Sequence, residues 1–493
     1  MREQLPALII VIPLLAALLT PLIAYLSAKL LRVVLLGAIL FSHLSAWGTL
    51  FHVLTEGTWH YKFGGWLPPW GIEYVIDPLS GSMAVLISFL SLLVAIYAGP
   101  FYKDETWLKR GIFHSLYALL TTGLLGMVVT GDVFNLYVFL EISSLAAYAL
   151  IASGGHKATV AAFRYLLVGT VGASFYLLGI GYLYAVTGTL NMADLVQRLA
   201  PLSASPALLT AVVMLVAGMG IKMALFPMHG WMPDAYTYSP PAVIPFISGV
   251  MSKVAAYVLF RFLYFVIGSY TGPVPAALEF MGWLAAAGII AGSVMAIAQS
   301  DFRRMLAYSS VAQIGYVVLG LAIGNTMALI GAVLHILNHA FMKSCLFLVA
   351  GGVKWKTGEH SIAKYAELCR SMPLSMGAFL VAALSMVGLP PTAGFFSKWY
   401  LVLGAMDKGQ WLYIIVIILS SLLNAVYFFR VIEQVYLKKS DSLPAEKGPT
   451  AAELPFAMLV PIIMLGVGIL ALGIFNETIV SQILQYALPG GGR

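Results

Sequence analysis

Charge is what this sequence has least of. Asp, Glu, Lys and Arg make up only 10% of its 493 residues, where a soluble domain carries about a quarter. That shortage argues against a water-soluble fold of this size. Cysteine is nearly absent as well. Cys345 and Cys369 lie far apart in sequence and form no C-x-x-C pair, so no iron–sulfur, zinc or disulfide framework is expected. Period-two alternation is missing from the long apolar runs, which excludes a membrane β-barrel. No strand is expected anywhere, and so no phosphate-cradling glycine loop following one. Neither G-x-S-x-G nor H-E-x-x-H occurs. By itself the chain is therefore expected to hold no cofactor and no metal, to carry no electrons and to hydrolyse nothing.

What the sequence has is apolar length. Apolar residues make up 61% of it, in runs of about 20 residues, each able to cross ~30 Å of hydrocarbon at ~1.5 Å per residue. The fold class is an all-α polytopic membrane protein of about 14 transmembrane helices. The spans fall at about 5–27, 31–54, 76–99, 111–130, 132–153, 162–187, 206–229, 242–268, 274–298, 303–323, 325–352, 374–403, 410–436 and 453–486. The first is too long for the apolar core of a cleaved signal peptide.

Lysine and arginine orient the chain. With the N-terminus outside, the inner loops hold 16 of the 27 basic residues: Lys29, Arg32, Lys103, Lys109, Arg110, Lys157, Arg164, Arg303, Arg304, Lys354, Lys356, Lys364, Arg370, Lys438, Lys439 and Lys447. The outer segments hold 5: Arg2, Lys62, Arg198, Lys408 and Arg493. This bias predicts both termini outside in a prokaryotic inner membrane. It also accounts for the net charge of +7 without any nucleic-acid partner.

Six basic residues fall inside spans. Arg261 and Arg430 sit near span ends, where snorkelling is expected. Lys222, Lys253, Lys343 and Lys398 are deeper, and a central lysine costs roughly 2.5–3.5 kcal/mol on insertion scales. The stretch from Gly218 to Arg261 carries two of these lysines and is interrupted by Pro227, Pro233, Pro240, Pro241 and Pro245. It has an echo at Ser385–Tyr400, SMVGLPPTAGFFSKWY, where Pro390 and Pro391 precede Lys398. Each interrupted segment comes late in a set of five spans (4–8 and 9–13), so the second set enters the membrane from the opposite side. Interrupted segments paired in this way point to a transport path.

The expected path residues follow. Glu141 lies within the fifth span, and Lys222 is its expected partner two spans later. Burial weakens an amine's hold on a proton and a nearby carboxylate strengthens it, so a changing Glu–Lys separation makes a switch. Against this stands a static structural ion pair. Lys253 is the next proton site along. His335, His339 and Lys343 recur every four residues on one helix stripe beside Asn338. A hydrated relay suits them better than zinc, since no third ligand is evident. Lys398 would end the relay. His229 and Asp234, beside the first break and near the inner mouth, are candidates for a gate. Ser143, Ser144 and Tyr148 are read mainly as packing.

These residues resemble a family. FLEISSLAAYALIA, GIKMALFPMHGWMPDAY, MSKVAAY, DFRRMLAYSSVAQIGY, HILNHAFMKSCLF and GLPPTAGFFSKWYL are similar to segments of the antiporter-like subunits shared by Mrp-type cation/proton antiporters, respiratory complex I and membrane-bound hydrogenases. The likeness runs over nearly the whole chain. It implies two inverted five-helix repeats (111–268 and 274–436) after an N-terminal three-helix segment (1–110), with a C-terminal helix at 453–493. It implies broken helices 7 and 12, and a proton path through Glu141, Lys222, Lys253 and Lys398. It also implies other integral membrane subunits as partners, with protons as the ions moved and Na⁺ as a candidate second ion. The chain shows no counterpart of the lateral helix of the distal complex I subunit. Lys398 also stands where another complex I subunit usually has glutamate. GGWLPPWGIEYVIDPLSG looks most like the D-type component of Mrp antiporters. The expectation is therefore an Mrp D-type component of a Na⁺/H⁺ antiporter. The alternative is the same module within a hydrogenase or NADH/quinone oxidoreductase assembly.

Overall fold

A computed structural model describes residues 2–438 and 453–489, and almost all of them are helical. Lys439, Lys447 and Arg493, counted in the charge bias, lie outside the described residues. Among the described residues, thirteen helices are long and apolar enough to cross a membrane. The fourteenth span is the twelfth in order, formed by two consecutive half-helices, Pro373–Val387 and Ala393–Asp407. Neither half has the length to cross alone.

Enclosure differs sharply among the spans. In the apolar stretches of Ile244–Val266, Phe302–Ile323 and Thr326–Thr357, 94%, 89% and 89% of residues are buried, against 39% for Ala28–Glu56. The eighth, tenth and eleventh spans thus form the centre of the bundle. Lys253, His335, His339 and Lys343 on these spans face protein rather than lipid. The eighth span is irregular as well, since wide-turn π segments at Ile247–Met251 and Arg261–Val266 flank its α-helical core Ser252–Phe260. Such segments recur at functional sites.

Both interrupted spans break. Helix Pro206–Met223 ends at Ala224, whose φ of 60° is left-handed, and the chain becomes helical again only at Met232–Tyr238. Helix Pro373–Val387 ends at Gly388, φ 95°, and restarts at Ala393. A break at membrane depth frees carbonyls that lipid cannot satisfy. At the first break the Trp231 indole donates to the Ile221 carbonyl at 2.9 Å. At the second, the Asn424 amide reaches the Met386 carbonyl at 3.2 Å.

Several expectations are corrected. Among the described residues there are two strands, β1 (Trp59–Lys62) and β2 (Glu73–Ile76), paired antiparallel with Trp59 opposite Ile76. Four residues each is too short for alternation to stand out in sequence. The last span is shorter than expected, with helix Phe456–Ile474 followed by the separate turn Asn476–Gln482. Arg261 does not snorkel: it grips Asp77 with both guanidinium nitrogens, at 2.5 and 2.9 Å. Asp77 in turn caps the third span, Pro78–Ala98. Arg430 instead donates to the Ile297 carbonyl at 2.8 Å, at the end of the ninth span. Arg303, counted as a loop residue, is buried and donates to the Tyr236 and Ser239 carbonyls. It covers the C-terminal carbonyls of the half-helix Met232–Tyr238, where a cation is favoured.

Candidate functional site

The first break positions Lys222 in the last turn of its half-helix, buried at 4% exposure. Its ammonium donates to Ser144 Oγ at 2.8 Å and to the Tyr148 hydroxyl at 3.4 Å. Among the described residues no ion pair joins Lys222 to Glu141. The expected direct contact is replaced by two hydroxyls. The reason is the helix repeat: Glu141, Ser144 and Tyr148 stand at i, i+3 and i+7 on helix Val133–Ala152 and share one face. Glu141 is half-buried, and its Oε1 is enclosed without a protein partner. Gly169 on the sixth span makes room for the Tyr148 hydroxyl, since a Cβ there would collide with it. Ser144 and Tyr148, read from sequence as packing, are therefore the contacts of the lysine. Their spacing from Glu141 was the available signal.

The next group lies at the centre. Lys253 is fully buried and donates to the Ser248 carbonyl, which the π segment preceding it presents inward. Lys343 is fully buried too, and donates to the Leu306 carbonyl at 2.8 Å and to Ser309 Oγ. His339 lies one turn before Lys343 on helix Thr326–Thr357. Both of its ring nitrogens are buried without a protein partner, as is Asn338 Oδ1. His339 is within electrostatic reach of Lys253, Lys343 and His335, and its ring lies 5.8 Å from that of His335, nearly parallel. Buried polar atoms without protein partners are where ordered water is normally found.

His335 carries a different arrangement. Its Nε2 faces Gln313 Oε1 at 3.0 Å and its Nδ1 faces Ser397 Oγ at 2.9 Å. The Ser397 hydroxyl also reaches the Gly394 carbonyl at 3.2 Å. A neutral ring donates from Nε2 to Gln313 and accepts the Ser397 proton at Nδ1. A protonated ring donates from both nitrogens, and the Ser397 hydroxyl turns to Gly394. Either state is satisfied without moving a heavy atom. Gln313 and Ser397 escaped the sequence reading. A lone glutamine inside an apolar span was the signal.

The second break holds Lys398, also largely buried. Its ammonium donates to the Met386 and Val387 carbonyls at 2.9 Å each and to Ser421 Oγ at 3.1 Å. It sits 5.2 Å from the centre of the Tyr316 ring. Lys398 thus reaches back across the break to the carbonyl end of the preceding half-helix, where the helix dipole favours a cation. Gly388 keeps the approach open, since a Cβ there would be 3.2 Å from Lys398 Cδ.

Away from this file lie the two gate candidates. Asp234 is clamped by Arg164 at 2.9 Å and Arg304 at 3.0 Å. It ties the half-helix after the first break to the sixth and tenth spans. His229 is half-buried, stacked on Phe226 at 5.3 Å, with Nδ1 unpartnered. No group of three or more His, Cys, Asp or Glu suited to a metal occurs among the described residues.

Residues 130–424 match the family described as NADH:quinone oxidoreductase/Mrp antiporter, TM. The chain is 56% identical, over 99% of both chains, to the N-type component of the NADH-quinone oxidoreductase of Desulforudis audaxviator. It is 29% identical to the D-type component of the Na(+)/H(+) antiporter of Alkalihalophilus pseudofirmus, over 88% of this chain and 87% of that one. Among solved structures, a chain of the Mrp complex from a Dietzia species superposes with a TM-score of 0.89 at 26% identity, covering 99% of this chain and 98% of that one. A chain of a membrane-bound sulfane sulfur reductase, an archaeal respiratory membrane complex, gives 0.89 at 29% identity, with 98% and 96% covered. These relatives are subunits of multisubunit membrane assemblies.

Proposed function

The chain belongs to the NADH:quinone oxidoreductase/Mrp antiporter transmembrane family, and on that premise we propose that it is the proton-translocating, N-type component of a complex I-like oxidoreductase assembly. The 56% identity to the N-type component of an NADH-quinone oxidoreductase, against 29% to the D-type component of a Na(+)/H(+) antiporter, favours this alternative over the Mrp D-type antiporter expected from the sequence. Redox chemistry would reside in partner subunits, and this chain would move the protons. The charge bias of the loops supports a prokaryotic inner membrane with both termini outside. We take residues 1–110 as an N-terminal three-helix segment, 111–268 and 274–436 as the two repeats, and the helix Phe456–Ile474 as the closing span.

One observation carries the reading. Lys222, Lys253, Lys343 and Lys398 are all buried, and hydroxyl or carbonyl oxygens hold every one of them, never a carboxylate. A buried lysine locked to a carboxylate would keep its proton. An amine solvated by neutral dipoles has less to lose on releasing it. Crowded cations also repel, so Lys253, His339 and Lys343 would not all hold charge at once. Charge arriving at Lys222 would pass inward through Lys253 and the unpartnered His339. It would continue past His335, which can take up a proton at Nδ1 as the Ser397 hydroxyl turns to Gly394, and reach Lys398. Glu141 would set the first step by drawing charge toward Lys222 through Ser144 and Tyr148. Asp234 would serve as a clamp that holds the first break, and His229 would border the inner mouth.

The test has two arms. The assembly is purified in mild detergent and its subunits identified. Flavin and iron–sulfur subunits are expected, and an assembly of Mrp-type membrane subunits alone would overturn the choice. In vesicles, Glu141→Ala and Lys222→Ala are expected to leave redox turnover and assembly in place while abolishing coupled proton uptake. Full uptake in both variants would overturn the proton path.

A further inference from the structure

A second cavity, unrelated to the proton path, opens at the membrane face that carries most of the basic loops. It has a volume of about 520 Å³ and lies where the first turn of the second span, the end of the third and the start of the fourth meet. Lys29, Arg32, Lys103 and Arg110 line it, and no Asp or Glu does. The carboxylate of Glu105 is taken by Lys109, 3.0 Å away, and neither residue lines the cavity. Toward the bundle the wall becomes apolar, with Leu35, Ala98 and Phe113 buried at 2%, 1% and 4% exposure.

One of the cations has its guanidinium held in place. Arg32 is braced by a hydrogen bond to the Gly99 carbonyl at 3.3 Å, and a Cβ on Gly99 would crowd its guanidinium at 3.3 Å. At Arg110 it is the backbone that is held, where His114 Nδ1 donates to the Arg110 carbonyl at 2.7 Å. Its Nε is enclosed without a protein partner. A general bias of lysine and arginine toward inner loops accounts for their number on this face. It does not account for four converging on one apolar-floored cavity with no counter-ion. Lys157 and Lys354 share the bias and stay outside it.

We propose that this cavity binds the phosphate headgroup of an anionic phospholipid, with its acyl chains along the Leu35–Phe113 wall. Basic pockets between spans at this depth suit such headgroups. Four cations favour a lipid with two phosphates, diphosphatidylglycerol, over one with a single phosphate. The apolar floor favours lipid over free phosphate.

The experiment uses the intact assembly, stripped of lipid in detergent and titrated with a photoreactive diphosphatidylglycerol. Labelling is expected within residues 28–36 and 95–114. Each cation removed near an anionic headgroup weakens binding about fivefold, so Arg32→Gln with Arg110→Gln is expected to lower affinity about 25-fold. The matching double change to lysine, which keeps both charges, should retain labelling and separates charge loss from misfolding. Lys157→Gln, at a basic residue outside the cavity, should change nothing. Equal labelling by phosphatidylethanolamine, unchanged affinity in the double glutamine variant, or displacement by an equal concentration of inorganic phosphate would each overturn the assignment.

Discussion

Replacing Lys398 by arginine separates two roles that the wild-type side chain combines. Lys398 covers the carbonyls of Met386 and Val387 at 2.9 Å each and touches Ser421 at 3.1 Å. A purely structural lysine would be needed only to satisfy that broken helix end. Arginine keeps the positive charge and supplies more donors, so the break should stay capped. What arginine cannot do is release a proton on the timescale of turnover. Its ordinary pKa lies about 2–3 units above that of lysine, so release should slow at least about a hundredfold. Lys398→Met removes both functions. Asn424 still serves the Met386 carbonyl, but the Val387 carbonyl loses its donor, at a cost of about 1–3 kcal/mol. The assay compares redox-driven acidification in vesicles with thermal stability of the assembly. Lys398→Arg is expected to keep stability and lose acidification, while Lys398→Met loses both. Wild-type acidification in the arginine variant would refute the reasoning, because a permanently charged group would then suffice.

Other consequences can be measured in the same system. Ser144→Ala and Tyr148→Phe each remove an acceptor from the buried Lys222 ammonium, a contact class worth about 1.5–3 kcal/mol. Each should slow proton uptake about tenfold or more with the assembly intact, and Gly169→Ala should mimic Tyr148→Phe by displacing that hydroxyl. Breaking the enclosed Asp77–Arg261 pair, whose side chains are 16% and 13% exposed, by Arg261→Ala should cost about 3–5 kcal/mol, read as a lowered Tm. Charge-reversed Asp77→Arg with Arg261→Asp should recover part of it. On the hairpin, His60 meets Glu73 at 3.1 Å, and Asn191 donates to Glu73 at 2.8 Å. The hydrogen bond that His60 donates to Glu73 raises the His60 pKa. Burial alone would raise that of Glu73, but its bonds to His60 and Asn191 outweigh burial and lower it. The His60 contribution is lost as pH rises through its raised value, and the Glu73 contribution as pH falls through its lowered one. Hairpin docking, followed by hydrogen exchange at residues 59–76, should therefore be tightest between the two. His60→Ala should flatten the alkaline side of that profile.

Sequence alone determined the class of this protein and the identity of its buried ions. Apolar runs of spanning length and a scarcity of charge leave few alternatives, because lipid offers no partner to a free backbone group. Lys222, Lys253, Lys343 and Lys398 stood out for the same reason: each carries an insertion cost that needs an explanation. The breaks at Ala224 and Gly388 were legible through the prolines beside them. What the sequence could not contain was the set of atoms that each amine touches. Ser144, Tyr148, Ser309, Ser397 and Ser421 are ordinary residues in a list, and Gln313 barely less so. They matter because separate helices bring them within about 3 Å of a nitrogen, the range in which a hydrogen bond forms. The replacement of an expected Glu141–Lys222 contact by two hydroxyls, the burial of Arg303 and the Asp77–Arg261 grip are decisions of the same kind. Hydropathy is a sum along the chain and can be read there, whereas solvation of a buried charge depends on neighbours tens or hundreds of residues away, which only the packed bundle supplies.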